Sequence, residues 1–320
     1  MKSSSLVVLP FIPTPPLFWM KGSTTRDEDF IDHIYVANMH STMMFFTQSG
    51  RCYWLKVWQI PEGSRASKGR AIQNVLSIPD DKILAYINVP SLKDKDFVNS
   101  HFIVLVTRRG VVKKTSLEAY SRPKQGGINA VKLREGDALI DVLLTNGREQ
   151  VLIAARNGRC VRFEEEKTRP MGRVSTGVRG INIEEDDEVI GAVSYDPSAP
   201  DASAHSVLVV SEHGFGKRTD FDEYRITNRG GKGVKTINIT DKTGSLIAIK
   251  NVTELNDLMI ITKSGLTIRM KVSDIRLAGR ATQGVKLINI KEGDSIAAIS
   301  CVEPDDEGQE GQEGQEEDIK

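Results

Sequence analysis

Cysteine is scarce in this 320-residue chain. Cys52, Cys160 and Cys301 lie far apart and form no CxxC pair. Such a set excludes a disulfide framework and offers no structural zinc site. The histidines His33, His40, His101, His205 and His213 follow neither HExxH nor any other ligand spacing, so each reads as an ordinary surface or core residue and no metal is expected. No apolar run reaches the roughly 18 residues that a membrane helix needs. A GxxxxGK[ST] loop is missing, and GFGK at 214–217 and GKGV at 231–234 are too short to replace it, which leaves no phosphate-cradling nucleotide site. No Ser/His/Asp ordering and no isolated carboxylate pair stands out. No twelve-residue stretch keeps a helical apolar period, so helical classes are excluded as well. Tyr53, Tyr120 and Tyr224 read as strand or packing residues, Trp54 and Trp58 suit a blade surface with base stacking as the alternative, and no residue is assigned a catalytic role.

What the chain does have is an internal repeat. Short apolar runs end in a polar residue, two more residues and Gly: MMFFTQSG (43–50), IVLVTRRG (103–110), VLIAARNG (151–158), VLVVSEHG (207–214) and LMIITKSG (258–265). After each Gly comes an alternating segment: RCYWLKV, VVKKTSL, RCVRFEE, FGKRTDF and LTIRMKV. A third run starts at Gly69, Gly127, Gly177, Gly233 and Gly284, which is 19, 17, 19, 19 and 19 residues beyond the first Gly. ILAYINV, ALIDVLLT, VIGAVSY, LIAIKNV and IAAISCV close the units. Four Val/Ile/Leu-rich runs per unit, punctuated by Gly and Asp, read as strands, and the recurring Gly marks a hairpin that needs positive φ. Five such units predict an all-β, propeller-like array of four-stranded blades. Residues 29–37, DFIDHIYVA, match the closing run of a unit, so the chain begins within a partial sixth blade.

The predicted organisation has three parts. Residues 1–20 are expected to be a non-native-looking or disordered leader: an apolar run broken by Pro10, Pro13, Pro15 and Pro16 makes neither a helix nor a secretory signal. Residues 21–302 are the repeat domain, with a partial blade at 21–42 and units starting near 43, 102, 149, 206 and 257. Residues 303–320 hold nine acids and one Lys around the run GQEGQEGQE, with no core-forming residue, and are expected to be a disordered acidic tail. The zero net charge of the whole chain is thus split, −8 on this tail and +8 on the rest. A basic body with an acidic tail points to a polyanion partner.

Charge also keeps register inside the repeats. The loops between second and third runs carry Arg65, Lys68 and Arg70; Arg122 and Lys124; Arg169, Arg173 and Arg179; Arg225, Arg229, Lys232 and Lys235; and Arg276, Arg280 and Lys286. The turns before the fourth runs are acidic, at Asp80 and Asp81, Glu135 and Asp137, Glu184 to Glu188, Asp241, and Glu292 and Asp294. A radial array places equivalent loops on one rim, so these cations sum to a positive belt able to track a phosphate backbone.

The segment DEDFIDHIYVANMHSTMMFFTQSGRCYWLKVWQIPEGSRASKGRAI, together with YRITNRGGKGVKTINI (224–239) and GRATQGVKLINI (279–290), resembles the C-terminal domain of DNA gyrase A over about residues 21–302. The resemblance implies a β-pinwheel, a six-bladed disc with strands exchanged between neighbours that wraps duplex DNA around its basic edge. It implies a non-catalytic part of an ATP-dependent type II topoisomerase, with the breaking tyrosine, ATP and Mg in other parts of the complex. It further implies the rest of gyrase A and the ATP-hydrolysing gyrase B as partners, no membrane, no cofactor in this chain and a cytoplasmic, nucleoid-associated setting. The family's glycine-rich box reads roughly Gln-Arg/Lys-Arg-Gly-Gly-Arg/Lys-Gly in the first blade, which is cut here just before Met20. Thr227 to Gly233 is box-like but lacks the first Gln and the first basic residue. Its Gly230, Gly231 and Gly233 would let the backbone approach phosphate closely. The expectation is a chain that binds DNA yet constrains few positive supercoils. The corresponding C-terminal domain of topoisomerase IV and a propeller scaffold for an acidic protein are the alternatives.

Overall fold

The computed structural model describes residues 4–9, 33–61, 72, 75, 76, 78, 81–264, 266–290 and 294–302. In chain order the strands are β1 (Ser4–Leu9), β2 (His33–Asn38), β3 (Thr42–Thr47), β4 (Arg51–Lys56), β5 (Ile83–Val89), β6 (Phe102–Thr107), β7 (Val111–Ser116), β8 (Ile128–Asn129), β9 (Leu139–Thr145), β10 (Gln150–Ala155) and β11 (Arg159–Glu164). They continue with β12 (Val178–Arg179), β13 (Val189–Tyr195), β14 (His205–Ser211), β15 (Phe215–Asp220), β16 (Val234–Lys235), β17 (Leu246–Thr253), β18 (Asp257–Thr262), β19 (Thr267–Lys271), β20 (Val285–Lys286) and β21 (Ile296–Val302). One short helix, α1 (Lys95–Ser100), links the first two blades, its start capped by Asp94 accepting from the amides of Asp96 and Phe97.

The five blades are antiparallel sheets in the orders β5-β3-β4-β8, β9-β6-β7-β12, β13-β10-β11-β16, β17-β14-β15-β20 and β21-β18-β19. The second to fifth repeats each donate their third run to the sheet of the preceding repeat: Cys52 pairs with Ile128, Val112 with Val178, Cys160 with Val234 and Gly216 with Val285. The four strands of a blade therefore do not all come from one unit, and blades are stitched to their neighbours by exchange. The exchanged strands are two residues long, shorter than the runs that announce them.

Burial explains the composition of the runs. The first strands β3 and β10 are covered on both faces and buried along their whole length, and so read as continuous apolar stretches. Successive side chains serve opposite faces: Met44 and Phe46 pack with Ile103 and Leu105 of the next blade, whereas Met43 and Phe45 pack with Ala37 of β2. Val104 with Ile153, Leu152 with Val207 and Leu208 with Leu258 repeat the arrangement around the array. Each fully buried side chain of this kind contributes about 1.5–3 kcal/mol.

The closing runs β5, β9, β13, β17 and β21 sit beside one another as the inner strands, and β2 lies against β21. Since Ala37 also packs on the first blade, β2 lies between the fifth blade and the first. Within the stretch read as a leader, Ser4–Leu9 pairs antiparallel with β2, Val7 opposite Tyr35. The prolines Pro10, Pro13, Pro15 and Pro16 lie outside the described residues, as does the acidic tail at 303–320.

In the second, third and fourth units two glycines of positive φ make exchange possible. Gly110 has φ +79° and Gly177 φ +86°. A Cβ on Gly177 would lie 2.6 Å from the Val112 carbonyl oxygen, and one on Gly233 would lie 2.7 Å from that of Cys160. Only glycine lets the incoming third run approach the neighbouring strand so closely.

Candidate nucleic-acid interface

The basic loops follow directly from the exchange. After β7, β11, β15 and β19 the chain makes a 3-10 turn, at Leu117–Tyr120, Glu165–Lys167, Phe221–Glu223 and Val272–Asp274. The turn buries Leu117, Glu165, Phe221 or Val272 and so fixes where the loop begins. From there the chain runs alongside the second strand of the preceding blade. Parallel bridges join Lys114 to Pro170, Arg162 to Ile226 and Arg218 to Leu277. The loop then becomes that blade's outermost strand. The described loops therefore lie on the outer edge of the array, opposite the inner strands.

On this perimeter Arg122, Lys124, Arg169, Arg179, Arg225, Lys232, Lys235, Arg276 and Lys286 are exposed, and Arg173, Arg229, Gly230, Gly231, Gly233 and Arg280 are half-buried. Arg65, Lys68 and Arg70 lie outside the described residues. Arg229 Nε and Nη1 donate to the carbonyls of Lys167 and Arg179 at 3.0 and 3.1 Å. Arg280 Nη1 repeats the second bond one blade on, to the Lys235 carbonyl at 3.1 Å. The backbone adds Gly230 N to the Gly180 carbonyl, Asn182 N to that of Gly231 and Asn238 N to Thr282 O. The loops of the fourth and fifth repeats are thus each tied to the one before, which holds their cations in fixed spacing.

Arg179 and Arg229 converge with Arg109 and Arg134 on an open cleft of about 590 Å³ that is also lined by Asn182 and Gly230. Arg109 Nη1 is oriented by the Glu185 carbonyl at 2.5 Å. Guanidinium groups at a concave surface suit phosphate oxygens, which they bind in a bidentate fork. The sequence pattern does not mark Arg109 and Arg134, because they stand in a hairpin and at the start of an acidic turn rather than in a basic loop. Apolar residues beside the arginines also escaped notice: Ile226 follows Arg225 and Leu277 follows Arg276, and they are 48% and 47% exposed. Their signal was present as an Arg-apolar pair at equivalent positions.

The acidic turns have a local structural cause. Asp81 accepts from Ser49 N and Oγ, Asp137 from Arg109 N at 3.0 Å, Asp187 from Asn157 N at 3.2 Å and Asp294 from Ser264 N and Oγ. Each carboxylate caps the hairpin of its own blade. Hydrogen bonding from Ser264 holds the Asp294 carboxyl below the usual range, whereas desolvation raises that of Asp187. Asp80 and Glu292 are outside the described residues. Among the described residues no group of His, Cys, Asp and Glu could hold a metal ion, and no helix is long and apolar enough to cross a membrane.

A family model described as the DNA gyrase C-terminal domain, beta-propeller, matches residues 41–100, 101–146, 149–196, 205–253 and 256–303. DNA gyrase A of Staphylococcus aureus (strain NCTC 8325 / PS 47) is 41% identical over 291 residues, which is 91% of this chain and 32% of that protein. The same protein of strain MRSA252 is 42% identical over 287 residues, 89% of this chain and 32% of that protein. The chain thus spans about a third of the length of these relatives. Among solved structures, a DNA gyrase A C-terminal domain superimposes with a TM-score of 0.75 at 18% identity, covering 93% of this chain and 99% of its own. The C-terminal domain of a DNA topoisomerase IV gives 0.74 at 21% identity, covering 95% of each chain. These two likenesses concern the fold.

Proposed function

The chain belongs to the DNA gyrase C-terminal β-propeller family, and from that membership we propose that it binds duplex DNA without regard to sequence and leads it around the basic perimeter. The observation that carries the reading is the common placement of the described basic loops along the outer edge, with Arg122, Arg169, Arg225 and Arg276 exposed in successive repeats. A row of cations at fixed spacing neutralises successive phosphates and releases condensed counterions, whatever the base sequence. The ties from the fourth and fifth loops to their predecessors limit the ordering cost when the backbone is engaged. The four-arginine cleft offers a phosphate seat on this path.

The same reading assigns the chain to the C-terminal part of a gyrase A protein. There it would steer DNA for a type IIA topoisomerase whose cleavage and ATP chemistry reside in other segments and in gyrase B, in a cytoplasmic, nucleoid-associated setting. In such an assembly the curved path would set the handedness of the DNA crossing.

The test is a titration of fluorescently labelled duplexes of unrelated sequence and increasing length. Affinity independent of sequence but rising with length supports the proposal. Length-independent weak binding, together with saturable capture of an acidic protein, would instead support a protein scaffold.

A further inference from the structure

Lys113 and Lys217 occupy the same position in the second strands of alternate blades, β7 and β15. They are only 1% and 0% exposed, so neither can touch a phosphate. Their Nζ atoms nonetheless reach the basic perimeter from beneath. Lys217 Nζ donates to the carbonyls of Gly279 and Arg280, both at 2.6 Å, and to Thr282 Oγ1 at 3.2 Å. An ammonium group has three donors, and here each has an acceptor in one stretch of the loop of the next repeat. Lys113 Nζ donates to the carbonyl of Arg173 in the loop of the third repeat and, at 2.5 Å, to that of Ala130. The arginines whose backbone is gripped, Arg173 and Arg280, stand at equivalent loop positions.

The other two junctions are held differently. Tyr53 and Val161 replace the lysine, and an arginine at the start of the strand takes over: Arg51 Nη2 donates to the Gly126 carbonyl at 2.6 Å and Arg159 Nη1 to that of Gly233 at 3.1 Å. These anchors are solvent-accessible. A loop carbonyl is therefore grasped by a cation of the preceding blade at each described junction, and at two of them the side chain that reaches the arginine-bearing part of the loop, Lys113 or Lys217, is itself buried. Hydrogen bonds from a charged donor are roughly twice as strong as neutral ones, and burial removes the competing water.

Burying two ammonium groups is costly unless they are fully bonded, and a propeller does not require them, since Val161 fills the equivalent place in the third blade. We propose that Lys113 and Lys217 are positioning residues for polyanion binding, which hold the loops around Arg173 and Arg280 in the shape that presents their guanidinium groups to the DNA backbone. This inference rests on the perimeter being the DNA-binding surface. It adds that the binding strength of two loops is set by residues that never meet DNA.

The experiment is a double-mutant cycle on the full chain. Lys217→Met keeps the volume and removes the donors. Its affinity for a duplex is compared with wild type, with Arg276→Ala/Arg280→Ala, and with the triple variant. If Lys217 acts through the loop, Lys217→Met weakens binding by about tenfold for each loop residue that must be re-ordered on the DNA. It also makes the salt slope shallower by about 1, and adds nothing once Arg276 and Arg280 are gone. Amide exchange at Arg280 and Thr282 should accelerate while that of β14 is unchanged. An equal loss of affinity in both backgrounds, or wild-type affinity with accelerated exchange, overturns the proposal. If Lys217→Met does not fold, Thr282→Val, which removes one acceptor, gives the same reading in weaker form. Failure of the wild type to bind DNA would instead refute the underlying function, so the two outcomes are distinct.

Discussion

Lys114 and Glu165 form a buried ion pair between the second and third blades, Nζ to Oε1 at 2.8 Å, with side chains 5% and 0% exposed. The carboxylate also accepts from Thr145 Oγ1 at 2.7 Å and from Gly147 N at 3.1 Å, so its charge is well compensated. At the next two junctions the same strand position carries Arg162, bound to the carbonyls of Phe221 and Tyr224, and Arg218, bound to that of Ile275 at 2.8 Å. A cation from each of these blades clamps the 3-10 turn from which the next basic loop departs.

Breaking that pair on one side should be expensive. Lys114→Met leaves Glu165 buried without its counter-charge, a loss of about 3–5 kcal/mol. Lys114→Met combined with Glu165→Leu should recover most of it. Urea unfolding of the three proteins checks this, and a double variant no more stable than Lys114→Met would show that the pair is not the source.

Gly233→Ala should cost more than about 1 kcal/mol, because φ is +76° and the new Cβ would meet the Cys160 carbonyl at 2.7 Å. The third-run strand β16 would lift from β11, and DNA affinity should fall with stability. Gly172→Ala, which meets nothing within 4 Å, serves as the control and should leave both unchanged.

Burial lowers the Lys113 and Lys217 ammonium groups from 10.5 to about 8, with the charge of Arg173 adding to the effect at Lys113 and that of Arg280 at Lys217, against Glu223. Between pH 8 and 10.5 the unfolded chain then binds more protons than the folded one. Stability contributed by these groups therefore rises with pH across that window and is flat below it. Buried Cys160 and half-buried Cys301, raised to about 12 and about 11 by desolvation, work in the opposite sense above their ordinary value. The clean observable is the difference between wild type and Lys113→Met/Lys217→Met in chemical unfolding at about pH 7.5 and about pH 10. Wild type should gain on the variant as pH rises, and a constant difference would contradict the assignment.

Residues 303–320, with nine acids and one Lys, carry the charge opposite to that of the perimeter. Removing them should tighten DNA binding at low salt, and the gain should fade as the Debye length shrinks from about 10 Å at 0.1 M to about 3 Å at 1 M. Equal affinities of the two proteins at low salt would mean that the tail does not compete for the belt.

Much of this was legible before any coordinates. The first runs announced themselves because Met43 to Phe46 and Val151 to Ala155 are buried on both faces, and the glycines because Gly50, Gly158 and Gly214 need positive φ. The partner of the third run was not legible from the runs themselves. A two-residue strand such as Val178–Arg179 has no periodicity, and its register depends on the space beside Val112 that Gly177 leaves open. The loop arginines were legible because they keep register. Lys113 and Lys217 were not, since an alternating strand reads a lysine as solvent-facing, and only the neighbouring blade shows that it is buried. Arg109 and Arg134 meet Arg179 and Arg229 only in three dimensions.

Binding of the DNA backbone by the perimeter loops, as proposed, is tested by the salt dependence of duplex affinity for the wild type and for Arg169→Ala/Arg225→Ala/Arg276→Ala, which removes one exposed arginine from each of three loops. With about six phosphates neutralised, log affinity of the wild type should fall against log salt with a slope near about −5, and the triple variant should be shallower by about 0.9 per lost contact, at about −2.5, on every sequence tried. A flat response in the wild type, or equal slopes for the two proteins, would contradict it.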